Sequence, residues 1–203
     1  MESSVIGITL TGTQSLLALA LICLVVLIAL WAVTRLVRAV PPALTVPGKP
    51  SGVGGILLLI IAALMAKDVT ALYQFGHGIG EAARVIALDA SYAWPALQTL
   101  IPEFVSSAAL SAAIVALVFG RSPAALYFAV LSIWIGGPAA YVLRGPFQGL
   151  PVEFSMSLGW NSALMVVLTI FLLFSLRSNL TYGTAAGRRF AARRAAASEY
   201  GDR

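Results

Sequence analysis

No charged side chain occurs between residues 3 and 34 of the chain. A membrane-spanning helix needs about 20 consecutive apolar residues to cross a hydrocarbon core of about 30 Å, and residues 16–34 alone are long enough. The whole chain has the same character, with 60% hydrophobic and 10% charged residues. Soluble domains carry about 25% charged residues, because they must cover a surface that faces water. The sequence therefore predicts an integral membrane protein.

Apolar segments recur along the rest of the chain. We predict five spans, over residues 16–34, 53–72, 104–119, 124–143 and 157–176. This pattern predicts an all-α fold, a polytopic transmembrane helical bundle, with one membrane domain over residues 1–183 and a basic tail over residues 184–203. A cleaved signal peptide would begin with basic residues, but only Glu2 precedes the first span, so we expect that span to be retained.

The basic residues favour one orientation of these spans. With the N-terminus outside and the C-terminus in the cytoplasm, only Lys67, Arg84 and Arg144 of the 13 basic residues fall outside the cytoplasmic segments. Cytoplasmic loops of membrane proteins are enriched in Lys and Arg in this way. Topology therefore explains the net charge of +5, and no nucleic acid is expected as a partner.

Proline and glycine mark the connections. Four prolines between residues 41 and 50 predict an extended cytoplasmic connection. The Ser-Pro pair at 122–123 predicts a turn that starts the fourth span. Gly-Gly-Pro at 136–138 predicts an interruption of that span, which neighbouring helices must accommodate. Residues 144–153 are expected to form a short loop.

Residues 73–103 form the longest predicted connection, on the outer side. Gly76, Gly78 and Gly80 disfavour a stable helix around His77. A short interfacial helix is expected after them, in which Glu81 and Arg84 stand three residues apart as an ion pair. His77 and Glu81 are the candidate functional residues of this connection, although an ordinary interfacial position is the simpler interpretation of the histidine.

Lys67 and Asp68 are adjacent charges at the end of an apolar block. Neighbouring helical residues point about 100° apart, so each needs its own partner or water. Lys67 could extend its side chain to the membrane surface. Alternatively, the two residues form a buried polar site with Asn161, Glu103 or Glu153. The sequence leaves both possibilities open.

The C-terminal tail carries four arginines in two pairs, Arg188 with Arg189 and Arg193 with Arg194. Each basic residue near an anionic leaflet contributes about 1 kcal/mol of binding. The simpler interpretation is a solvated tail that lies near anionic lipids and enforces the topology, and binding of RNA or of an acidic partner is the alternative.

A set of short motifs between residues 48 and 183 resembles a bacterial family of small multi-span membrane proteins catalogued as domain of unknown function 2569. The motifs are Pro-Ser-Gly-Val-Gly-Gly at 50–55, Trp-Pro at 94–95, Arg-Ser-Pro at 121–123, Ser-Leu-Arg-Ser at 175–178 and Thr-Tyr at 181–182. The family usually has a Trp where this chain has Ile56, and a more basic ending. The resemblance implies a bacterial inner-membrane location, and it brings no activity and no functional residues.

Two functions remain open at this stage. The first is a non-catalytic subunit or scaffold of a membrane complex, bound to a membrane-protein partner or to further copies of itself. The second is a small oligomeric transporter or channel with Lys67 and Asp68 along a polar path. The one cysteine, Cys23, and the one histidine form no metal-ligand set, so we expect no metal, no cofactor and no enzymatic activity.

Overall fold

A computed structural model of the protein describes residues 24, 27–28, 31–36, 39–148 and 156–201. These residues form helices and their connections, with no β-strand among them. The prediction of an all-α fold is therefore confirmed. The first predicted span lies largely outside the described residues; those described between 24 and 36 are helical, and Val33 packs in the core.

The part of the chain described from residue 56 onward contains eight α-helices, which we number in chain order. They are α1 (Ile56–Leu88), α2 (Ala93–Gln98), α3 (Ile101–Phe119), α4 (Pro123–Trp134), α5 (Ala140–Gln148), α6 (Met156–Phe174), α7 (Leu176–Thr181) and α8 (Ala185–Gly201). A π-helical segment, Ile135–Ala139, joins α4 to α5 without a break. Among the described residues, three helices are long and apolar enough to cross a membrane, namely α1, α3 and the continuous Pro123–Gln148. The apolar part of α6, Leu158–Phe174, is shorter.

Helix α1 is much longer than the predicted span 53–72. Its 33 residues correspond to about 50 Å, against a hydrocarbon core of about 30 Å. It continues through Gly76, Gly78 and Gly80, where we expected no stable helix. Helix packing outweighs the intrinsic cost of glycine here, since a Cβ at Gly78 would lie 2.7 Å from the Leu100 side chain.

The core lies where α1, α3, α4 and α6 meet. Helix α1 packs along α3, and α3 packs against α4, the π-helical segment and α5. Fully buried side chains from these helices include Leu57, Ile61, Leu110, Ile133 and Met165. Because lipid is as apolar as these side chains, close packing and polar contacts between helices decide how the helices associate.

A layer of chain closes the end of the bundle where α1 begins. We call it the basal layer, and it consists of residues 40–55 and 175–184. The two segments pair through their backbones, since Ala43 N–H donates to the Thr181 carbonyl and Leu44 N–H to the Leu180 carbonyl, both at 3.0 Å. The Tyr182 hydroxyl is fully buried and donates to the Leu117 carbonyl at 2.7 Å. The predicted proline-rich connection is therefore packed against the protein.

The glycines before α1 surround an arginine of the basal layer. Arg177 Nε donates to the Gly52 carbonyl at 3.0 Å. A Cβ at Gly54 would lie 2.8 Å from one guanidinium nitrogen, and a Cβ at Gly55 would lie 2.6 Å from the other. Gly55 also has a φ of +54°, which L side chains rarely adopt. The glycines thus let the backbone approach Arg177, a contact between residues 125 positions apart.

Candidate polar site within the bundle

Asp68 is buried between α1 and α3. It is 7% exposed, and its two carboxyl oxygens accept hydrogen bonds from Ser107 Oγ at 3.0 Å and Ser111 Oγ at 2.6 Å. The two serines are four residues apart, so they lie on one face of α3. This arrangement satisfies a polar group that would be costly in an apolar surrounding. Asp68 therefore joins two helices.

Lys67 points to another side of α1, as the 100° step between helical neighbours requires. Its ammonium donates a hydrogen bond to Asn161 Oδ1, near the start of α6. Lys67 lies 11 residues beyond Ile56, which corresponds to about 17 Å along the helix axis. The structure therefore brings together Lys67 and Asn161, one of the three partners that the sequence offered.

Glu103 contacts another cation. Arg144 on α5 forms an ion pair with Glu103 on α3, with Nη2 to Oε1 at 3.1 Å. Gln148 Nε2 donates to the second carboxyl oxygen at 3.1 Å and to the Thr99 carbonyl at 2.9 Å. The predicted loop over residues 144–153 begins later than expected, because α5 continues to Gln148. Glu153 lies outside the described residues.

A cavity of about 250 Å³ with a partly polar lining lies between α1, α3, α5 and α6. Its charged lining residues are Lys67 and Arg144, and its uncharged polar ones include Thr70, Gln74, Ser106 and Asn161. Asp68 borders a different and mainly apolar space, together with Met65 and Ile114. Lys67 and Asp68 thus do not face a common cavity.

The predicted interruption at Gly-Gly-Pro forms one wall of the cavity. Residues 135–139 adopt π-helix, and Ser106 Oγ donates to the Gly136 carbonyl at 2.6 Å. A Cβ at Gly136 would lie 2.8 Å from the Ser106 carbonyl oxygen and 2.9 Å from the Leu110 side chain. Gly136 therefore allows the backbones of two helices to approach closely, as small residues do in membrane proteins.

His77 and Glu81 lie apart from this site, on the exposed far part of α1. Glu81 forms the predicted ion pair with Arg84, with Oε1 to Nη1 at 2.9 Å. The His77 ring is tilted against the Tyr73 ring, with centroids 6.5 Å apart. Both residues are exposed. An exposed pair of this kind contributes at most about 1 kcal/mol of stability.

The four tail arginines lie on α8, which extends from the basal layer. All four are exposed, and Arg188 Nη1 donates to the Gly183 carbonyl at 2.8 Å. Gly187 is buried at the junction, where a Cβ would lie 2.3 Å from the Asn179 carbonyl oxygen. These arginines are Arg188, Arg189, Arg193 and Arg194.

The sequence did not identify Ser107 and Ser111 as partners of Asp68, nor Arg144 as part of the cavity. Ser107 and Ser111 are four residues apart, so they share one face of a helix. No pattern within a single segment, however, gives the rotation of that helix relative to α1. Among the residues that the structure describes, no group of three or more His, Cys, Asp or Glu side chains could hold a metal ion.

Comparisons with family models, with curated proteins and with solved structures give no match.

Proposed function

We propose that this protein is a non-catalytic integral membrane protein that acts as a subunit or scaffold of a membrane complex. The exposure of helix α8 carries this proposal. This helix has 17 residues, and beyond the buried Gly187 most of its described side chains are exposed. A helix this short is marginal in isolation, and its own protein covers little of it, so contact with a partner would stabilise it.

The polar residues of the bundle support the same proposal. Asp68 contacts two serines, Lys67 contacts Asn161, and Glu103 contacts Arg144. Each of these contacts joins different helices. Charged residues within membrane helices often mark transport pathways, but here their partners give them a role in holding the helices together.

Five spans, an outer N-terminus and a location in the bacterial inner membrane belong to the same proposal. Arg121, Arg177 and α8 lie at one end of the bundle, around the basal layer, which is the arrangement expected for a cytoplasmic end. Anionic lipids of that leaflet would attract the α8 arginines and hold the helix near the membrane surface. The relationship to the family of unknown function stays a prediction.

A small oligomeric transporter or channel is the second candidate. The cavity beside Lys67 favours it, because this cavity lies against the π-helical segment Ile135–Ala139, and irregular helix segments are common at transport sites. The position of Asp68 in a separate, mainly apolar space argues against a single path lined by both residues.

Three variants in the cell of origin distinguish the two candidates: Lys67→Leu, Asp68→Leu and a chain that ends at Thr184. Their membrane abundance and the size of the native assembly in mild detergent would be measured. A scaffold predicts that the shortened chain accumulates normally but yields a smaller assembly, while Lys67→Leu keeps the wild-type size. An unchanged assembly in the shortened chain, together with impaired growth of cells that carry Lys67→Leu but not of cells that carry the shortened chain, would overturn the proposal in favour of transport.

A further inference from the structure

The cavity between α1, α3, α5 and α6 has an unbalanced charge. Lys67 and Arg144 are the charged residues that line it, and both are cationic. The Asp68 carboxyl group is turned elsewhere, since it accepts hydrogen bonds from Ser107 and Ser111 on another side of α1. Glu103 pairs with Arg144 but is not part of the lining.

Lys67 has no acidic partner within the described part of the chain. Its observed partner, the Asn161 amide oxygen, is neutral, and a lysine ammonium carries three donors. The position is partly buried and within the apolar length of α1. A cation that is withdrawn from water is stabilised by a nearby anion, because the attraction between opposite charges is stronger where the dielectric constant is low.

Arg144 presents a second cation to the same space. Its ion pair with Glu103 uses Nη2, and the guanidinium lies 5.4 Å from the centre of the Tyr141 ring. A guanidinium has five N–H donors in a fork that matches carboxylate and phosphate oxygens. Arg144 can therefore contact Glu103 and still offer donors to a second anion.

We propose that this cavity binds an oxyanion of the phosphate class between Lys67 and Arg144. The volume of about 250 Å³ is smaller than the roughly 300–1,000 Å³ of sites for drug-sized ligands, so it suits a small anion or a lipid headgroup. Gln74, Thr70 and Asn161 supply further polar groups around the two cations. Two sources have this chemistry: a dissolved phosphate and the phosphodiester of a membrane lipid.

The experiment uses the full chain, purified in a neutral detergent and reconstituted in nanodiscs. In detergent without lipid, phosphorus NMR and calorimetry measure binding of inorganic phosphate. In nanodiscs that contain phosphatidylcholine with or without phosphatidylglycerol, native mass spectrometry counts the retained anionic lipid. Saturable phosphate binding identifies a dissolved anion, whereas one tightly retained phosphatidylglycerol per chain without phosphate binding identifies a lipid headgroup. Both outcomes support the site.

Lys67→Met should weaken binding about 10- to 100-fold, because it removes a hydrogen bond between charged groups. Lys67→Arg should retain most of the affinity. Arg84→Gln is the matched control, since it removes the same charge at an exposed position of α1, and its affinity should stay within about twofold of wild type. Gln74→Trp fills the exposed rim of the cavity without changing charge, so it tests the site even if Lys67→Met fails to fold.

Wild-type protein that binds neither inorganic phosphate nor phosphatidylglycerol would overturn the proposal. Equal binding by wild type and Gln74→Trp would also overturn it, because the anion would then lie elsewhere. Loss of binding in Gln74→Trp separates the cavity from lipid that the α8 arginines attract, so failure of the anion site and failure of the scaffold proposal are distinguishable.

Discussion

The ammonium of Lys67 donates a hydrogen bond to the amide oxygen of Asn161, which lies 94 positions later in the chain. The next residue, Asp68, contacts α3 through Ser107 and Ser111. Two adjacent residues of α1 therefore connect this helix to α6 and to α3. In a medium that provides no hydrophobic attraction between helices, such contacts help to select one arrangement of the bundle.

The contact of Asp68 with its two serines should be measurable as an energetic coupling. We expect Ser111→Ala to lower the free energy of unfolding by about 0.6–1.7 kcal/mol in the wild-type background. In the Asp68→Leu background the same change should cost almost nothing, because the carboxyl acceptor is gone. Unfolding by a denaturing detergent in mixed micelles measures both. Thr70→Ala is the control, since the Thr70 hydroxyl bonds to its own helix at the Ala66 carbonyl; equal costs of Ser111→Ala in both backgrounds would contradict the contact.

The close approach at Gly136 gives a second prediction. Gly136→Ala should destabilise the protein by about 1–3 kcal/mol, because the new methyl group would meet the Ser106 backbone and Leu110 in a packed interior. Gly80→Ala should have no cost and can stabilise α1 by up to about 1 kcal/mol, since open space surrounds that position. Thermal unfolding in detergent tests the pair. A Gly136→Ala variant as stable as Gly80→Ala would show that the helices are less closely packed than the structure indicates.

Because the Tyr182 hydroxyl is buried, the stability of the folded protein should fall at alkaline pH. Burial raises the pKa of Tyr182, an effect that the nearby Arg121 charge partly opposes. The unfolded chain releases this proton near pH 10 and the folded protein does not. Stability from this group is therefore complete below about pH 10 and is lost as the pH rises above it.

Tyr182→Phe should remove that alkaline loss. At pH 8 the variant should be less stable by about 1–3 kcal/mol, because the Leu117 carbonyl loses its hydroxyl donor. Between pH 9.5 and 11.5 its melting temperature should fall less steeply than that of wild type. Tyr127→Phe, at an exposed position, serves as control and should follow the wild-type slope. Parallel slopes for wild type and Tyr182→Phe would contradict this account of the basal layer.

The proposed orientation places α8 in the cytoplasm. Its arginines are exposed, so trypsin should remove the helix from inside-out vesicles and leave it intact in sealed right-side-out vesicles. Mass spectrometry of the purified chain gives the result, and detergent-opened vesicles show that the sites are cleavable. Removal of α8 from right-side-out vesicles would reverse the orientation of the bundle.

Much of the helical architecture follows from local sequence. Apolar length located the parts of α1, α3 and Pro123–Gln148 that can cross a membrane, and Gly-Gly-Pro located the π-helical segment. The extension of α1 through Gly76–Gly80 did not follow, because packing of Gly78 against Leu100 overrides local propensity. The partners of Asp68 did not follow either, since they depend on how α1 and α3 are rotated about their axes.

Photo-crosslinking within native membranes tests most directly whether α8 contacts another protein, as we propose. A benzophenone amino acid would replace Ala192 or Ala196, both exposed on α8, and Val167 on the exposed face of α6 as control. We predict a crosslinked product of one fixed mass from the α8 positions and none from Val167. Lipid adducts alone, or no adducts at either α8 position, would contradict the claim.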